Sequence, residues 1–116
     1  MKHLKKNRKF GRPADFRKAF LWNLGNNLIL KERIKTTEAR AKEIRPLIEK
    51  AVSRAKNNTL SNRRLLLKNL NPKSVDKLFK ELSSRFKERP GGYLRIFKLN
   101  ARKNDGAEMV IIEFIK

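Results

Sequence analysis

Residues 33–56 read RIKTTEARAKEIRPLIEKAVSRAK, a short segment with β-branched residues followed by the clearest helical pattern of the chain. Apolar residues recur there at spacings of three and four positions: Ala41, Ile44, Ile48, Ala51 and Ala55. That periodicity is typical of a helix with one apolar face. We therefore predict an edge strand over residues 33–36 and a helix over residues 38–56. We expect a bend at Pro46, because proline removes a helical hydrogen bond.

Three further helices are predicted, over residues 13–31, 60–68 and 72–87. In the first, apolar residues recur at every fourth position: Phe16, Phe20, Leu24 and Leu28. In the last, an Asn-Pro start signal precedes a similar series: Val75, Leu78, Leu82 and Phe86. Phe16 and Trp22 are assigned to the core. Gly25 is expected to lower the stability of the first helix slightly.

The last third of the chain has the pattern of a sheet. Residues 93–99 and 109–115 are rich in aromatic and β-branched residues, and Asp105-Gly106 between them is typical of a turn. The two-residue period of a strand turns three residues toward the core: Val110, Ile112 and Phe114. The sequence therefore predicts an α+β fold, with four helices packed on a small, mostly antiparallel sheet.

Charge is the most unusual property of this 116-residue chain, which has 31 Lys and Arg against 11 Asp and Glu and a formal net charge of +20. Such a surface repels itself, so nucleic acid or an anionic membrane is the expected partner. The longest unbroken apolar runs, AFLW and MVII, have four residues, whereas a membrane-spanning helix needs about 20. No secretory signal is recognisable, an organellar transit peptide finds little support, and the absence of cysteine favours the reducing cytoplasm.

The N-terminal segment differs from the remainder of the chain. Residues 1–12 contain six Lys or Arg, no acid and few apolar residues, so they cannot build a core of their own. We predict that they form a flexible basic arm that binds RNA, and that residues 13–116 form a single globular domain. A merely disordered tail is the alternative for the arm.

Catalytic groups are sparse in the sequence. The single histidine, His3, lies in the predicted arm, and the acidic residues are scattered among basic ones. The sequence contains no paired carboxylates at helical spacing, no HxxxH pattern and no cysteine, so neither an enzyme nor a metal or cofactor site is expected. The glutamates within residues 38–49 are interpreted as ion-pair partners of neighbouring cations on a solvated helix face.

The stretch RPGGYLRIFK, which begins at Arg89, contains a double glycine, and glycine weakens most elements that contain it. Gly91 and Gly92 are predicted to form the turn between the last helix and the strand that follows. Flanked by Arg89, Tyr93 and Arg95, they also leave the backbone bare where a sugar-phosphate chain could lie. RNA recognition commonly combines such backbone contacts with aromatic stacking.

Several blocks of the chain resemble the bacterial large-subunit ribosomal protein family L-seventeen: RIKTTEARAKEIRPLIEKAVSRAK, NRRLLLKNL, KLFKELSSRFKERPGGYLRIFKL and DGAEMVIIEFI. The similarity covers nearly the whole chain, and the block RPGGYLRI at its distance from IKTT is specific to the family. The chain departs from the family at residues 14–17, which read ADFR where the family commonly has Ser-Ser-His-Arg. A contact made there by a histidine is therefore absent. A second departure is the loop NARKNDGAE.

The resemblance implies a non-catalytic protein of the large ribosomal subunit, without a cofactor, that binds large-subunit rRNA near the peptide tunnel exit. Neighbouring proteins of the L-twenty-two and L-thirty-two families are the implied protein partners. The residues expected to contact RNA are Lys2, His3, Lys5, Lys6, Arg8, Lys9, Arg12, Arg17, Lys18, Lys35, Thr36, Thr37, Arg63, Arg64, Arg89, Gly91, Gly92, Tyr93 and Arg95. For the two threonines helix capping is the alternative, and for Arg63 and Arg64 simple solvation. An architectural DNA-binding protein also fits the charge, although no helix-turn-helix or basic zipper is recognisable.

Overall fold

The structure is a computed structural model that describes residues 14–103 and 105–116. This part of the chain has four helical stretches: α1 (Ala14–Lys31), α2 (Glu38–Ala55), α3 (Leu60–Leu67) and a composite fourth. The fourth runs without a break through α4 (Pro72–Lys77), a π-helical segment (Leu78–Leu82) and α5 (Ser83–Arg85). The predicted helices are confirmed, with ends within two residues of those expected. The predicted arm lies outside the described residues.

The sheet contains three strands: β1 (Arg33–Thr37), β2 (Leu94–Lys98) and β3 (Met109–Phe114). Their order is β1-β3-β2, and both neighbouring pairs are antiparallel. This confirms the α+β fold and the edge position of β1. The connection from β2 to β3 turns at Gly106, as predicted, with a φ of 68° that favours glycine. Asp105 stabilises this turn by accepting hydrogen bonds from the Arg102 guanidinium and the Ala107 N–H.

α2 packs against all three strands and carries the apolar face that its sequence predicts. Its buried residues are Ala41, Ile44, Ile48, Ala51, Val52 and Ala55. Thr37, rather than Thr36, caps the helix, because its hydroxyl oxygen accepts the backbone N–H of Arg40 at 3.4 Å. The helix continues through Pro46. From β3, the three residues predicted to face the core are buried: Val110, Ile112 and Phe114.

The buried face of α1 differs from the expected one. Phe16 is 67% exposed, so its assignment to the core is wrong, whereas Trp22 packs partly buried against the core. The positions that α1 buries are Leu21, Gly25, Asn26, Leu28 and Ile29. A Cβ at Gly25 would lie 2.9 Å from Ile48 Cδ1 of α2, so the glycine lets the two helices approach. Because apolar residues occur all round α1, their spacing could not identify the buried face.

The fourth helical stretch contains a widened turn that the sequence pattern did not predict. Ser83 donates its backbone N–H to the carbonyl of Leu78, five residues earlier, and its hydroxyl to the carbonyl of Phe79 at 2.6 Å. Such a π turn accommodates an extra residue within the helix. Leu78, Phe79 and Leu82 of this segment are all buried in the core.

Candidate nucleic-acid interface

The helices cover one face of the sheet, and the strands carry two rows of side chains across the other. In the antiparallel register the first row is Arg33, Glu113 and Arg95, and the second is Lys35, Ile111 and Phe97. The two central residues, both from β3, are half-buried, and the four outer ones are exposed. Alternation along the strands turns all six away from the core. We call these six residues the open sheet face.

Glu113 holds the two arginines of the first row. Its carboxylate lies 3.5 Å from Arg33 Nε, accepts a hydrogen bond from Arg95 Nε at 2.7 Å and lies 2.7 Å from Arg95 Nη2 in an ion pair. The Arg95 guanidinium also lies over the Phe97 ring, 4.8 Å from its centroid. Glu113 and Phe97 therefore fix the position of Arg95. The remaining N–H donors of its guanidinium are not used in these contacts.

The open sheet face continues into two adjoining concavities, of about 960 and about 530 Å³, which share Arg85 and Lys116. We call them together the basic groove. Six cations line it: Lys31, Arg33, Arg85, Arg89, Arg95 and Lys116. Three carboxylates line it as well: Glu32, Glu88 and Glu113. Since two of these carboxylates are bonded to arginines, the groove presents a positive, concave surface to a polyanion.

Glu32 fixes one wall of the basic groove. It follows α1 directly, with a φ of 65°, and donates its N–H to the carbonyl of Leu28 at 2.6 Å. Its carboxylate bonds the Arg85 guanidinium and lies 3.0 Å from Lys77 Nζ. The hydrogen bond from Arg85, reinforced by Lys77, lowers the pKa of Glu32 to about 2. The carboxylate is therefore ionised at neutral pH and ties the end of α1 to the fourth helical stretch.

The double glycine forms a turn at the other end of the basic groove. Gly92 has a φ of 64°, which favours glycine, and its carbonyl accepts a hydrogen bond from Arg89 Nε at 3.0 Å. A Cβ at Gly91 or Gly92 would meet no atom within 4 Å in the described part of the chain. The predicted turn is confirmed. The backbone is also open to an approaching ligand, although its contact with RNA stays a prediction.

Tyr93 lies beneath this turn and not on the surface. Its residue exposure is 1%, its ring packs on Phe86 with 5.1 Å between centroids, and its hydroxyl bonds Ser53 and Lys56. A buried ring offers no face to a base, so stacking by Tyr93 is incompatible with this structure, and the residue supports the turn instead. Phe97 is the exposed aromatic residue of β2. Sequence reasoning missed it, although alternation from Arg95 places it on the same face.

A carboxylate from α2 holds the start of β2. Glu49 accepts the backbone N–H groups of Tyr93 and Leu94, each at 3.1 Å. Arg45 donates to the carbonyl of Leu94 at 3.3 Å. The ion pair expected between these neighbours on α2 is present at 3.9 Å, but the backbone contacts of Glu49 were not predicted. Periodicity carries no signal for them, because 44 residues separate Glu49 from Tyr93.

The other predicted contact residues of the described chain lie away from the basic groove. Arg63 lies 3.4 Å from Asp76 and over the Phe79 ring, so it links α3 to the fourth helical stretch, whereas Arg64 is exposed. Thr36 is buried and has little surface for a ligand. Arg17 and Lys18 lie in the first half of α1. The structure therefore brings together five of the predicted residues: Lys35, Arg89, Gly91, Gly92 and Arg95.

The contacts predicted for the arm fall outside the described residues: Lys2, His3, Lys5, Lys6, Arg8, Lys9 and Arg12. Within residues 14–103 and 105–116, no group of three or more His, Cys, Asp or Glu side chains could hold a metal ion. None of the helices in the same ranges is long and apolar enough to cross a membrane.

Residues 20–115 match the family described as Ribosomal protein L17. The Large ribosomal subunit protein bL17 of Gemmatimonas aurantiaca is 49% identical over 116 residues, which cover 99% of this chain and 98% of that protein. The chain belongs to the ribosomal protein L17 family. The L17 relative from Salinibacter ruber is 47% identical over 116 residues, covering 99% of this chain but 59% of that protein. The relative from Staphylococcus epidermidis is 45% identical over 119 residues, covering 93% of this chain and 98% of that protein.

Membership of the L17 family confirms the resemblance that the sequence blocks carry. It also confirms the predictions that the protein is a structural component of the cytoplasmic ribosome and that it is not an enzyme. The matched L17 range begins within α1 and ends one residue after β3. It therefore contains the whole open sheet face and all of the basic groove except Lys116.

Proposed function

We propose that this L17 protein is a structural constituent of the large ribosomal subunit that binds large-subunit rRNA through the basic groove and the open sheet face. The observation that carries the proposal is the convergence of six cations on a concave surface next to the open backbone of Gly91. RNA phosphates attract lysine and arginine, and A-form helices are recognised mainly by shape and backbone contacts. The names of the relatives support the large subunit as the site of assembly.

In this proposal the groove receives the sugar-phosphate backbone of an rRNA helix. Arg89 and Lys116 bind phosphates beside the glycine turn, and Arg85 and Lys31 bind them nearer to β1. Glu32 keeps Arg85 oriented along the wall of the groove. Arg85 and Arg89 are held before RNA arrives, by Glu32 and by the Gly92 carbonyl, so these two side chains lose little conformational freedom on binding.

The remaining predicted contacts are secondary in our proposal. Lys18 and Arg64 are exposed on the helical side of the molecule, where they bind phosphates of other rRNA segments. Arg17, near the start of α1, and Thr37, at the start of α2, are proposed for the same role. The arm, residues 1–12, enters a crevice between rRNA helices and neutralises phosphates that converge there.

We further propose that the protein lies near the exit of the peptide tunnel, beside proteins of the L-twenty-two and L-thirty-two families. The family resemblance supports this placement. α3 supplies an apolar surface suited to a protein neighbour, because three of its leucines are exposed: Leu60, Leu65 and Leu67.

Cleavage by tethered probes tests the face that we assign to rRNA. The chain has no cysteine, so Lys35→Cys, Arg89→Cys and Lys73→Cys can each carry one iron chelate that cleaves nearby RNA. In reconstituted large subunits, we expect probes at positions 35 and 89 to cut one rRNA region close to the tunnel exit. The probe at position 73, on α4, should cut elsewhere or not at all. Strong cleavage from position 73 alone would contradict the assignment.

Removing residues 1–12 tests the division between arm and head. The deletion takes away six cations, and we expect the melting temperature to stay close to that of the full chain, because unanchored termini bury little surface. Affinity for rRNA fragments should fall, and the slope of log K against log salt should decrease by roughly 0.7 to 0.9 for each phosphate that the arm no longer neutralises. Unfolding of the truncated chain would show that the arm belongs to the core. Competition with duplex DNA distinguishes rRNA binding from the alternative of DNA binding.

A further inference from the structure

We propose that the open sheet face takes an unpaired RNA nucleotide, whose base stacks on Phe97 while Arg95 and Lys35 bind its flanking phosphates. This inference rests on the proposed rRNA binding and specifies the kind of RNA that the sheet recognises, a bulge or loop and not a continuous duplex. It follows from an aromatic ring that is exposed, lies against the Arg95 guanidinium and shares its row with Lys35.

Phe97 is the feature of this face that phosphate binding does not explain. The residue is 41% exposed, Ile111 beside it is half-buried, and Leu99 is 36% exposed. Scattered apolar residues are normal on a protein surface, but here adjoining residues form an apolar strip between cations. Burying such a strip is favourable, whereas charged ligand groups alone would leave it in water.

The ring is already part of an ordered assembly. Arg95 lies over Phe97, with 4.8 Å from its guanidinium carbon to the ring centroid. Glu113 fixes the guanidinium by a hydrogen bond from Nε and an ion pair with Nη2, each at 2.7 Å. RNA bases stack on aromatic rings and on guanidinium planes. A base that reaches this face therefore meets a stacking surface whose side chains lose little freedom on binding.

Lys35 supplies the second phosphate contact. It lies in the same row as Phe97 with Ile111 between them, roughly 10 Å away because neighbouring strands are about 4.8 Å apart. Lys35 is exposed and forms no ion pair among the residues that the structure describes. Its long side chain can reach a phosphate next to the stacked base. A continuous duplex would keep its bases inside the helix, out of reach of the ring.

The test compares two RNA hairpins that differ by one unpaired adenosine, which is replaced by 2-aminopurine for fluorescence. Phe97→Leu keeps an apolar side chain but removes the aromatic face, so it should weaken binding of the bulged hairpin by about five- to hundredfold. Binding of the fully paired hairpin should be unchanged. Phe97→Trp should preserve binding of the bulged hairpin. Wild-type protein should quench the 2-aminopurine, and the leucine variant should not. Phe16→Leu is the matched control, because it makes the same substitution at a phenylalanine that is 67% exposed on α1, and it should change neither affinity.

Two outcomes would overturn the stacking assignment. One is equal affinity of wild type and Phe97→Leu for the bulged hairpin. The other is an equal loss of affinity for both hairpins in the Phe97→Leu variant, when its melting curve shows an intact fold. Either result leaves phosphate binding by the groove in place. If wild-type protein bound neither hairpin in a salt-dependent way, the proposed rRNA binding itself would fail.

Discussion

The two faces of β3 show how one strand serves two purposes. On the inner face Val110, Ile112 and Phe114 are at most 2% exposed and lie within the hydrophobic core. On the outer face Ile111 and Glu113 are half-buried between side chains of β1 and β2. Residues that differ by one position in the sequence therefore have separate roles. Stability and proposed RNA binding can be changed independently by substitutions within six residues, Met109–Phe114.

The largest effect is expected on the inner face. Ile112 is 0% exposed, so Ile112→Ala should lower the free energy of unfolding by about 2 to 5 kcal/mol, the usual range for a large-to-small core substitution. Ile111→Ala, one residue earlier on the open face, should cost less than about 1.5 kcal/mol. Urea unfolding followed by circular dichroism measures both. If Ile112→Ala does not fold, Ile112→Val against Ile111→Val gives the same comparison at a smaller scale. Equal losses at the two positions would contradict the assignment of faces.

The second prediction concerns RNA binding by the surface that the open sheet face and the basic groove form together. Three of its lysines form no ion pair within residues 14–103 and 105–116: Lys31, Lys35 and Lys116. Changing all three to glutamine should weaken binding to large-subunit rRNA by about 10- to 100-fold near physiological salt, with a lower salt slope. Three exposed lysines of the helical side provide the control in a second triple glutamine variant: Lys50, Lys68 and Lys73. Filter binding over a range of salt concentrations should show the larger loss of rRNA affinity for the first variant. A larger loss for the second variant would contradict the assignment of the main binding surface.

Glu32, which ties the end of α1 to the fourth helical stretch, gives a prediction about how the stability of the fold depends on pH. Its folded-state pKa of about 2 lies below the ordinary 4.5, so its contribution to stability is present above about pH 4.5 and disappears as the pH falls toward 2. With 28% of the side chain exposed, this contribution is about 1 to 3 kcal/mol. Glu32→Gln should therefore be less stable than wild type at pH 7, and the two unfolding curves should converge near pH 2. Glu88→Gln is the control, and an equally large difference there would contradict the role of Glu32.

The smallest effect is expected at the glycine turn. Gly92 and Gly91 both have open space where a Cβ would be, but only Gly92 has a positive φ. Gly92→Ala should cost about 1 kcal/mol in unfolding free energy, and Gly91→Ala should stay within about 0.5 kcal/mol of wild type. Thermal melting distinguishes the two. Equal costs would mean that backbone conformation does not explain the choice of glycine at position 92.

Local patterns predicted most of the fold. The helices and strands follow from apolar periodicity and from start and turn signals such as Asn71-Pro72 and Asp105-Gly106, and these depend only on neighbours in sequence. The failures occurred where tertiary contacts decide. The buried face of α1 depends on the approach of α2 at Gly25, and the π turn depends on how the fourth helical stretch fits the core.

The candidate site was only partly predictable for the same reason. Arg89, the glycines and Arg95 could be found because they lie in one short stretch. Their placement beside Lys31 and Lys116 in one groove depends on strand register and on where α1 ends. Local sequence patterns do not predict either feature. Tyr93 was expected on the surface because it is aromatic and next to a bare turn. Its burial depends on Phe86 and on Lys56, whose distance in sequence hides the contact.

The contact between α2 and Leu94 also hinders backbone pairing between two copies of the protein. β2 is an edge strand, and the exposed backbone of an edge can pair with the edge of another molecule and start aggregation. Leu94 directs its N–H to Glu49 and its carbonyl to Arg45, so both groups are occupied by side chains of the same chain. A newly made molecule that has not yet met its partner therefore does not offer the first residue of β2 as a template for intermolecular pairing.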